Sequence, residues 1–218
     1  MSNLEIDGGS THSPTAEVMP SRRVRLDRDQ RRQTLLDAGA KAFAEGGFQA
    51  TSMEEVASLA GVTRLIVYRH FDSKEALYRA ILDRAVRGVA STVEHVPAAA
   101  PTVRGTVDGF LQVARNDPDG FRLLIRHSSR EPDFANYAEQ FREKAVKAAQ
   151  DLIARRVPDP VLRAWTATTL VALLEEATLA WIETGETDRD EEMKTVLTRS
   201  IEAMLRAFPD PRDAGQYR

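Results

Sequence analysis

The chain has 218 residues, a net charge of −3, 42% hydrophobic and 29% charged residues, and no cysteine. That length holds one or two domains with a substantial core, and the missing thiols exclude disulfide staples, thiol catalysis and zinc-finger sites. Its four histidines, His12, His70, His95 and His127, form no HExxH pair, and the chain has no glycine-rich phosphate loop or nucleophile elbow, so a helical enzyme is the weaker reading and no cofactor is expected.

Residues 1–24 read as a disordered tail rich in Gly, Ser, Thr and Pro. No basic start followed by an apolar run opens the sequence, so no secretory signal is expected and the expected setting is cytoplasmic. Residues 20–75 carry ten Lys and Arg against eight acids, the one positive section of the chain. Within it Arg22, Arg23, Arg25, Arg28, Arg31 and Arg32 form an arm able to lie along phosphates or enter a minor groove. A first helix is predicted from Arg28 to Glu45, with Leu35, Ala38, Ala42 and Phe43 at helical spacing and Gly46-Gly47 as its stop.

The segment from Ala50 to Tyr78, ATSMEEVASLAGVTRLIVYRHFDSKEALY, predicts two short helices, a corner and the start of a longer helix. Thr51 or Ser52 caps the first through the S/T-x-x-E pattern with Glu54 or Glu55. Met53, Val56, Ala57 and Ala60 make its apolar stripe. Gly61 supplies a corner residue free to take positive φ. Thr63 caps the next helix, in which Val67 joins Val62 and Phe71 inside and Arg64, Leu65, Ile66, Tyr68, Arg69 and His70 face largely outward. Two aliphatics on an exposed face fit DNA: Arg64 can read guanine, and Leu65 and Ile66 can touch thymine methyl groups. Tyr68, Arg69 and His70 suit phosphate oxygens. Lys74 follows a cap at Asp72 or Ser73, at a helix start where a cation is disfavoured unless a phosphate docks there.

The stretch from Arg31 to Ala80 resembles the DNA-binding domain of the TetR family of bacterial transcriptional regulators. Ala42, Phe43, Gly47, Phe48, Thr51, Val56, Ala57, Ala60, Gly61, Val62, Val67, Tyr68, His70, Phe71, Lys74, Glu75 and Leu77 carry the likeness. It departs at Leu65 and Ile66, where the family often has a smaller or more polar residue, and this points to a thymine-rich half-site. With the local reading, it makes Thr51, Ser52, Thr63, Arg64, Leu65, Ile66, Tyr68, Arg69, His70 and Lys74 the DNA-binding set. The domain is drawn at 25–76, with 77–208 as a helical effector-binding and dimerisation domain and 209–218 as a tail.

The fourth helix is predicted from Ser73 to about Glu94, with a linker from Pro97 to Pro101 after it. Helices follow over Thr102–Asn116, Pro118–Arg130 and Asp133–Arg156, with Pro118 in the favoured first turn. No strand alternation interrupts them, so the fold class is all-α. Val161–Thr184 is apolar nearly all round between Trp165 and Ile182, yet Glu175 and Glu176 keep it out of a membrane. Paired with Asp188–Phe208, it predicts half of an intersubunit four-helix bundle, where the resembling family also dimerises. A homodimer sets two recognition helices about 34 Å apart on a palindrome in double-stranded DNA.

In the resembling family the C-terminal helices surround an effector pocket whose occupation alters the spacing of the DNA-binding domains. Candidates here are Phe110, Phe121, Arg126, His127, Tyr137, Phe141, Trp165, Thr169 and Glu176, of which at most about half are expected to line a cavity. The resulting expectation is a repressor released from its operator by a small molecule. A sequence-tolerant architectural DNA binder is the alternative.

Overall fold

A computed structural model describes residues 28–94, 102–184 and 186–208. Both proposed tails, the Pro97–Pro101 linker, and Arg22, Arg23 and Arg25 of the arm lie outside the described residues. Every regular element among the described residues is helical: α1 (Arg28–Ala50), α2 (Met53–Leu59), α3 (Arg64–Tyr68), α4 (Lys74–Glu94), α5 (Val103–Asn116), α6 (Pro118–Arg122), α7 (Pro132–Ile153), α8 (Pro160–Thr184) and α9 (Asp190–Arg206). Between α6 and α7 the chain widens into a π-helical turn, Leu123–His127, and then a 3-10 turn, Ser128–Arg130. No helix among the described residues is long and apolar enough to cross a membrane.

The local rules explain most of the ends. Ser52, not Thr51, caps α2, its hydroxyl accepting from the Glu55 N–H at 3.2 Å. Gly61 turns the corner at φ 64, which lets the Val62 N–H return to the Ala57 carbonyl at 2.9 Å. α1 reaches Ala50, past the expected end at Glu45, but its backbone leaves helical geometry at Gly47 (φ 77, ψ 163), so the glycine stop acts as a break inside the element. Ser73 caps α4 by accepting from the Ala76 N–H. Asp117 caps α6 by accepting from the Gly120 N–H, with Pro118 in the first turn.

Two apolar clusters hold the helices. The first gathers Leu35, Phe43 and Phe48 of α1, Val56 of α2, Val67 of α3 and Phe71, and extends through Leu77, Tyr78, Ile81 and Leu82 of α4 to Leu123, Leu124 and Phe134. Residue 76 therefore falls inside an unbroken helix whose next two turns close the same core. Phe134, at the start of α7, packs edge-on against Phe48 at 5.3 Å between ring centroids and tilted against Tyr78 at 4.5 Å. Around this contact, Arg84 of α4 donates to Asp37 of α1 at 2.6 Å and to Asp117 at 2.9 Å. The Tyr137 hydroxyl donates to Asp83 at 2.6 Å.

The second cluster joins α5, α6, α7, α8 and α9 through Val107, Phe110, Phe121, Ile153, Leu170, Leu174, Leu197 and Ile201. Asp190 fastens α9 to it by accepting from Arg115 at 2.6 Å and from the Trp181 indole at 2.7 Å. One side of α8 and α9 stays uncovered: Val161, Leu162, Trp165 (57% exposed) and Leu173 on α8, and Val196 (61% exposed) on α9.

Candidate nucleic-acid interface

α3 is short, and its side chains divide as its sequence predicts. Val67 is fully buried, and Phe71 and Val62 pack beside it. Thr63, Arg64, Leu65, Tyr68 and Arg69 are exposed, Leu65 by 63%, while Ile66 and His70 are half-buried. An aliphatic side chain so exposed on a helix anchored by its opposite face is left uncovered by the described residues, which is the geometry of an apolar contact supplied from outside. Thr63 stands at the cap position but makes no cap hydrogen bond, so its hydroxyl is not committed to the helix.

Arg64 folds back along α3. Its guanidinium lies 5.1 Å over the Tyr68 ring, donates to the Tyr68 hydroxyl at 3.3 Å and pairs with Glu54 of α2. These contacts raise its pKa, the Tyr68 hydrogen bond first and Glu54 next. Both partners of the Arg64–Glu54 pair are more than half exposed, so water screens it and little holds the side chain in this pose. Glu54 was seen in the sequence only as a capping residue; its i-to-j approach to Arg64 depends on the angle between α2 and α3.

Positive charge flanks the far end of α3. His70 sits where burial, and then Arg28, Arg32 and Arg31 at the start of α1, hold its imidazole below the ordinary value. Arg32 itself lies 4.9 Å over the Phe71 ring. The basic start of α1 and the outward face of α3 thus adjoin, although they are distant in sequence.

Two residues of the sequence-based DNA set make their contacts within the protein. Thr51 is 2% exposed, and its single hydroxyl proton is shared between the Gly47 carbonyl at 2.8 Å and the Ala42 carbonyl at 3.1 Å, which fastens the corner at the end of α1. Lys74 points at the same corner. Its ammonium donates to the carbonyls of Phe48 (2.8 Å), Gln49 (3.2 Å) and Thr51 (3.1 Å) and lies 4.6 Å over the Phe48 ring. All three of its N–H donors are engaged. The cation that looked misplaced at the start of α4 is well placed for the carbonyl end of α1, where the helix dipole favours it. Ser52 stays exposed beside this corner.

A separate cavity of about 340 Å³ lies between the π-helical turn, α7 and α8, lined by Leu124, Ile125, Ser129, Ala135, Ala138, Glu139, Phe141, Arg142 and Glu175. Of the residues that the sequence put forward for a pocket, Phe141 alone lines it. Phe110 and Phe121 pack against each other in the second cluster, 6.4 Å apart and nearly perpendicular. Arg126 pairs with Glu176 at 2.7 Å and Glu183 at 3.2 Å on the surface, so Glu176 faces outward. Burial first, and then Arg130, Arg122 and Arg126, lower the pKa of His127, which lies beyond the lining. Tyr137 serves Asp83, Thr169 donates to the Trp165 carbonyl at 2.9 Å, and Trp165 belongs to the uncovered side of α8. Of the neighbouring pair Glu175 and Glu176, Glu175, 4% exposed, is the one that lines the cavity, together with Glu139 of α7. α8 is apolar nearly all round, so its pattern has no phase to tell which of two neighbouring carboxylates turns inward.

A family model for bacterial regulatory proteins of the tetR family matches residues 35–81. The chain is 33% identical over 164 residues to the HTH-type transcriptional activator FasR of Mycolicibacterium smegmatis, spanning 72% of this chain and 75% of that protein. It is 33% identical over 81 residues to the HTH-type transcriptional repressor KstR2 of Rhodococcus jostii, spanning 37% of this chain and 40% of that one. The crystal structure of a TetR-like transcriptional regulator from Rhodococcus sp. RHA1 superposes with a TM-score of 0.70 at 22% identity, covering 83% of this chain and 98% of that one. At that identity the structural likeness speaks for the fold.

Proposed function

The chain belongs to the TetR family of DNA-binding transcriptional regulators, which are not enzymes, and on that footing we propose that it binds a palindromic operator as a homodimer and leaves it when a small molecule binds. The observation that carries this reading is the outward set on α3, Thr63, Arg64, Leu65, Ile66, Tyr68, Arg69 and His70, bordered by Arg28, Arg31 and Arg32. Arg64 reads a guanine, Leu65 and Ile66 meet thymine methyl groups, and the cations and hydroxyls at either end hold phosphates. The uncovered apolar side of α8 and α9 supports the dimer, because five large side chains exposed along two adjacent helices are expensive to leave in water. The protein works in the cytoplasm, where its DNA lies.

Repression follows if the bound dimer blocks a promoter. One relative is named an activator and another a repressor, so the position of the operator decides the sign. A small molecule releases the DNA only by favouring the arrangement of the dimer that fits DNA less well.

Selection from a random double-stranded pool, with sedimentation of the free protein, tests the reading. The expected outcome is a dimer that enriches an inverted repeat with half-sites centred about one helical turn apart. A monomer, or a pool that stays unenriched while binding everything at low salt, supports the architectural alternative instead. On the enriched site, Arg64→Ala is expected to weaken binding by about ten- to a hundredfold and to relax discrimination at one base position. Equal loss on every sequence in a competition assay would make Arg64 a phosphate contact.

A further inference from the structure

The cavity beside the π-helical turn has a chemical character of its own. Leu124, Ile125, Ala135, Ala138 and Phe141 give it apolar walls, and Glu175 brings a carboxylate that is almost wholly buried. Among the described residues, the nearest cation to Glu175 is Arg142, whose guanidinium stands 3.6 Å away, beyond hydrogen-bond length, on a side chain half exposed to water. Burial raises the Glu175 pKa, with Arg142 opposing that shift and Glu176 adding to it. Glu139, an exposed residue, also lines the cavity, so its lining carries two carboxylates and one guanidinium. A buried carboxylate whose ion-pair partner stands 3.6 Å off on a half-exposed side chain is only weakly compensated, and a cation close enough to hydrogen-bond it would compensate it better.

We propose that this cavity takes a small organic cation with an apolar body, its ammonium or amidinium seated against Glu175 where Arg142 now hovers. The inference rests on the effector-controlled reading above and adds the chemical class of the effector. An anion entering the cavity can meet Arg142, but the two carboxylates of Glu139 and Glu175 outnumber that cation. A neutral molecule fills the apolar walls but leaves Glu175 with the 3.6 Å Arg142 pair and no closer cation. The volume sits at the low end of the range typical of small-molecule sites, which suits a body of one or two fused rings.

The same wall reaches the DNA-binding helices. α7 contributes Ala135, Ala138, Glu139, Phe141 and Arg142 to the cavity, while Phe134 and Tyr137 of the same turns are fixed to Phe48, Tyr78 and Asp83. Phe134 and Ala135 are consecutive residues of one helix. A ligand that displaces α7 at the cavity therefore moves a ring embedded in the core of α1 and α4. The π-helical turn, a helix irregularity frequent at functional sites, forms the opposite wall through Leu124 and Ile125.

Three probes of matched shape separate the ligand classes: 1-naphthylmethylammonium, 1-naphthylacetate and 1-naphthalenemethanol, each titrated calorimetrically into the full chain without DNA. The cation is expected to bind at least about tenfold more tightly than either of the others. Glu175→Gln, which keeps the side-chain volume, is expected to reduce the cation to the level of the alcohol. Arg142→Ala, at a half-exposed position that folding tolerates, is expected to strengthen the cation by removing its competitor. Tightest binding by the naphthylacetate, an unchanged cation affinity in Glu175→Gln, or no binding of any probe at millimolar concentration overturns the proposal. The DNA complex then separates the two readings. Glu175-dependent cation binding that leaves DNA affinity unchanged upholds the ligand class and removes the effector role, whereas DNA release by an uncharged or anionic probe from Glu175→Gln does the reverse.

Discussion

Phe134→Ala is expected to destabilise the protein by about 3–5 kcal/mol, the range for emptying a fully buried aromatic site. Phe134 is completely buried, and it touches Phe48 and Tyr78 at centroid distances of 5.3 and 4.5 Å while Arg79 lies 5.7 Å over its ring. Its removal leaves a void that neither side collapses into easily, because the ring is a plug from α7 set into a core built by α1 and α4. For a chain of this size the thermal midpoint falls by roughly 2–4 °C per kcal/mol, so a loss on the order of 10 °C is expected. Phe134→Leu refills most of the space and should recover more than half of it. Denaturant unfolding of the three proteins measures this. A loss below about 1 kcal/mol for Phe134→Ala would mean that α7 does not anchor in that core, and the mechanical route from the cavity to α3 would lose its first link.

Lys74→Met is expected to cost about 2–4 kcal/mol in the absence of DNA, because charge-assisted hydrogen bonds are each worth about 1.5–3 kcal/mol and the three here are not independent. The carbonyls of Phe48, Gln49 and Thr51 all accept from this ammonium, and methionine keeps the stem while leaving them without it. They lie at and just past the end of α1, beyond the Gly47 break, where a helix leaves its last carbonyls without an intrahelical partner. The sequence-based role for Lys74, a phosphate contact at the start of α4, makes the opposite prediction: unchanged stability of the free protein and uniformly weaker DNA binding. Thermal unfolding without DNA distinguishes them directly. An unshifted midpoint would return Lys74 to the DNA-binding set.

The split between Lys74 and Arg64 illustrates how far a linear reading goes. Both are cations near a helix start, and both look like DNA contacts when each is considered on its own helix. Arg64 lies on an exposed face whose burial is decided by the spacing of Val62, Val67 and Phe71, a purely local pattern. Lys74 is decided by what stands opposite its helix, the broken end of α1, and no periodicity within Ser73–Leu77 encodes that. Thr51 went the same way: a hydroxyl in a capping pattern is equally a hydroxyl able to fasten a corner, and the backbone path from Ala42 to Gly47 chose the second.

By itself the sequence determined where most helices lie, the capping segments before α2 and α4, the glycine corner at Gly61 and the outward face of α3, because each depends on groups within a few residues of one another along the chain; it missed the π-helical and 3-10 turns that replace the expected helix after Arg122. Only the tertiary structure decided that Phe134 plugs the first core, that Glu175 and not Glu176 turns into the cavity, and that Arg142 stands near it. Those outcomes depend on rotations of whole helices about their axes, and for α8, apolar on nearly every side, the rotation is set by its neighbours and by nothing in its own pattern.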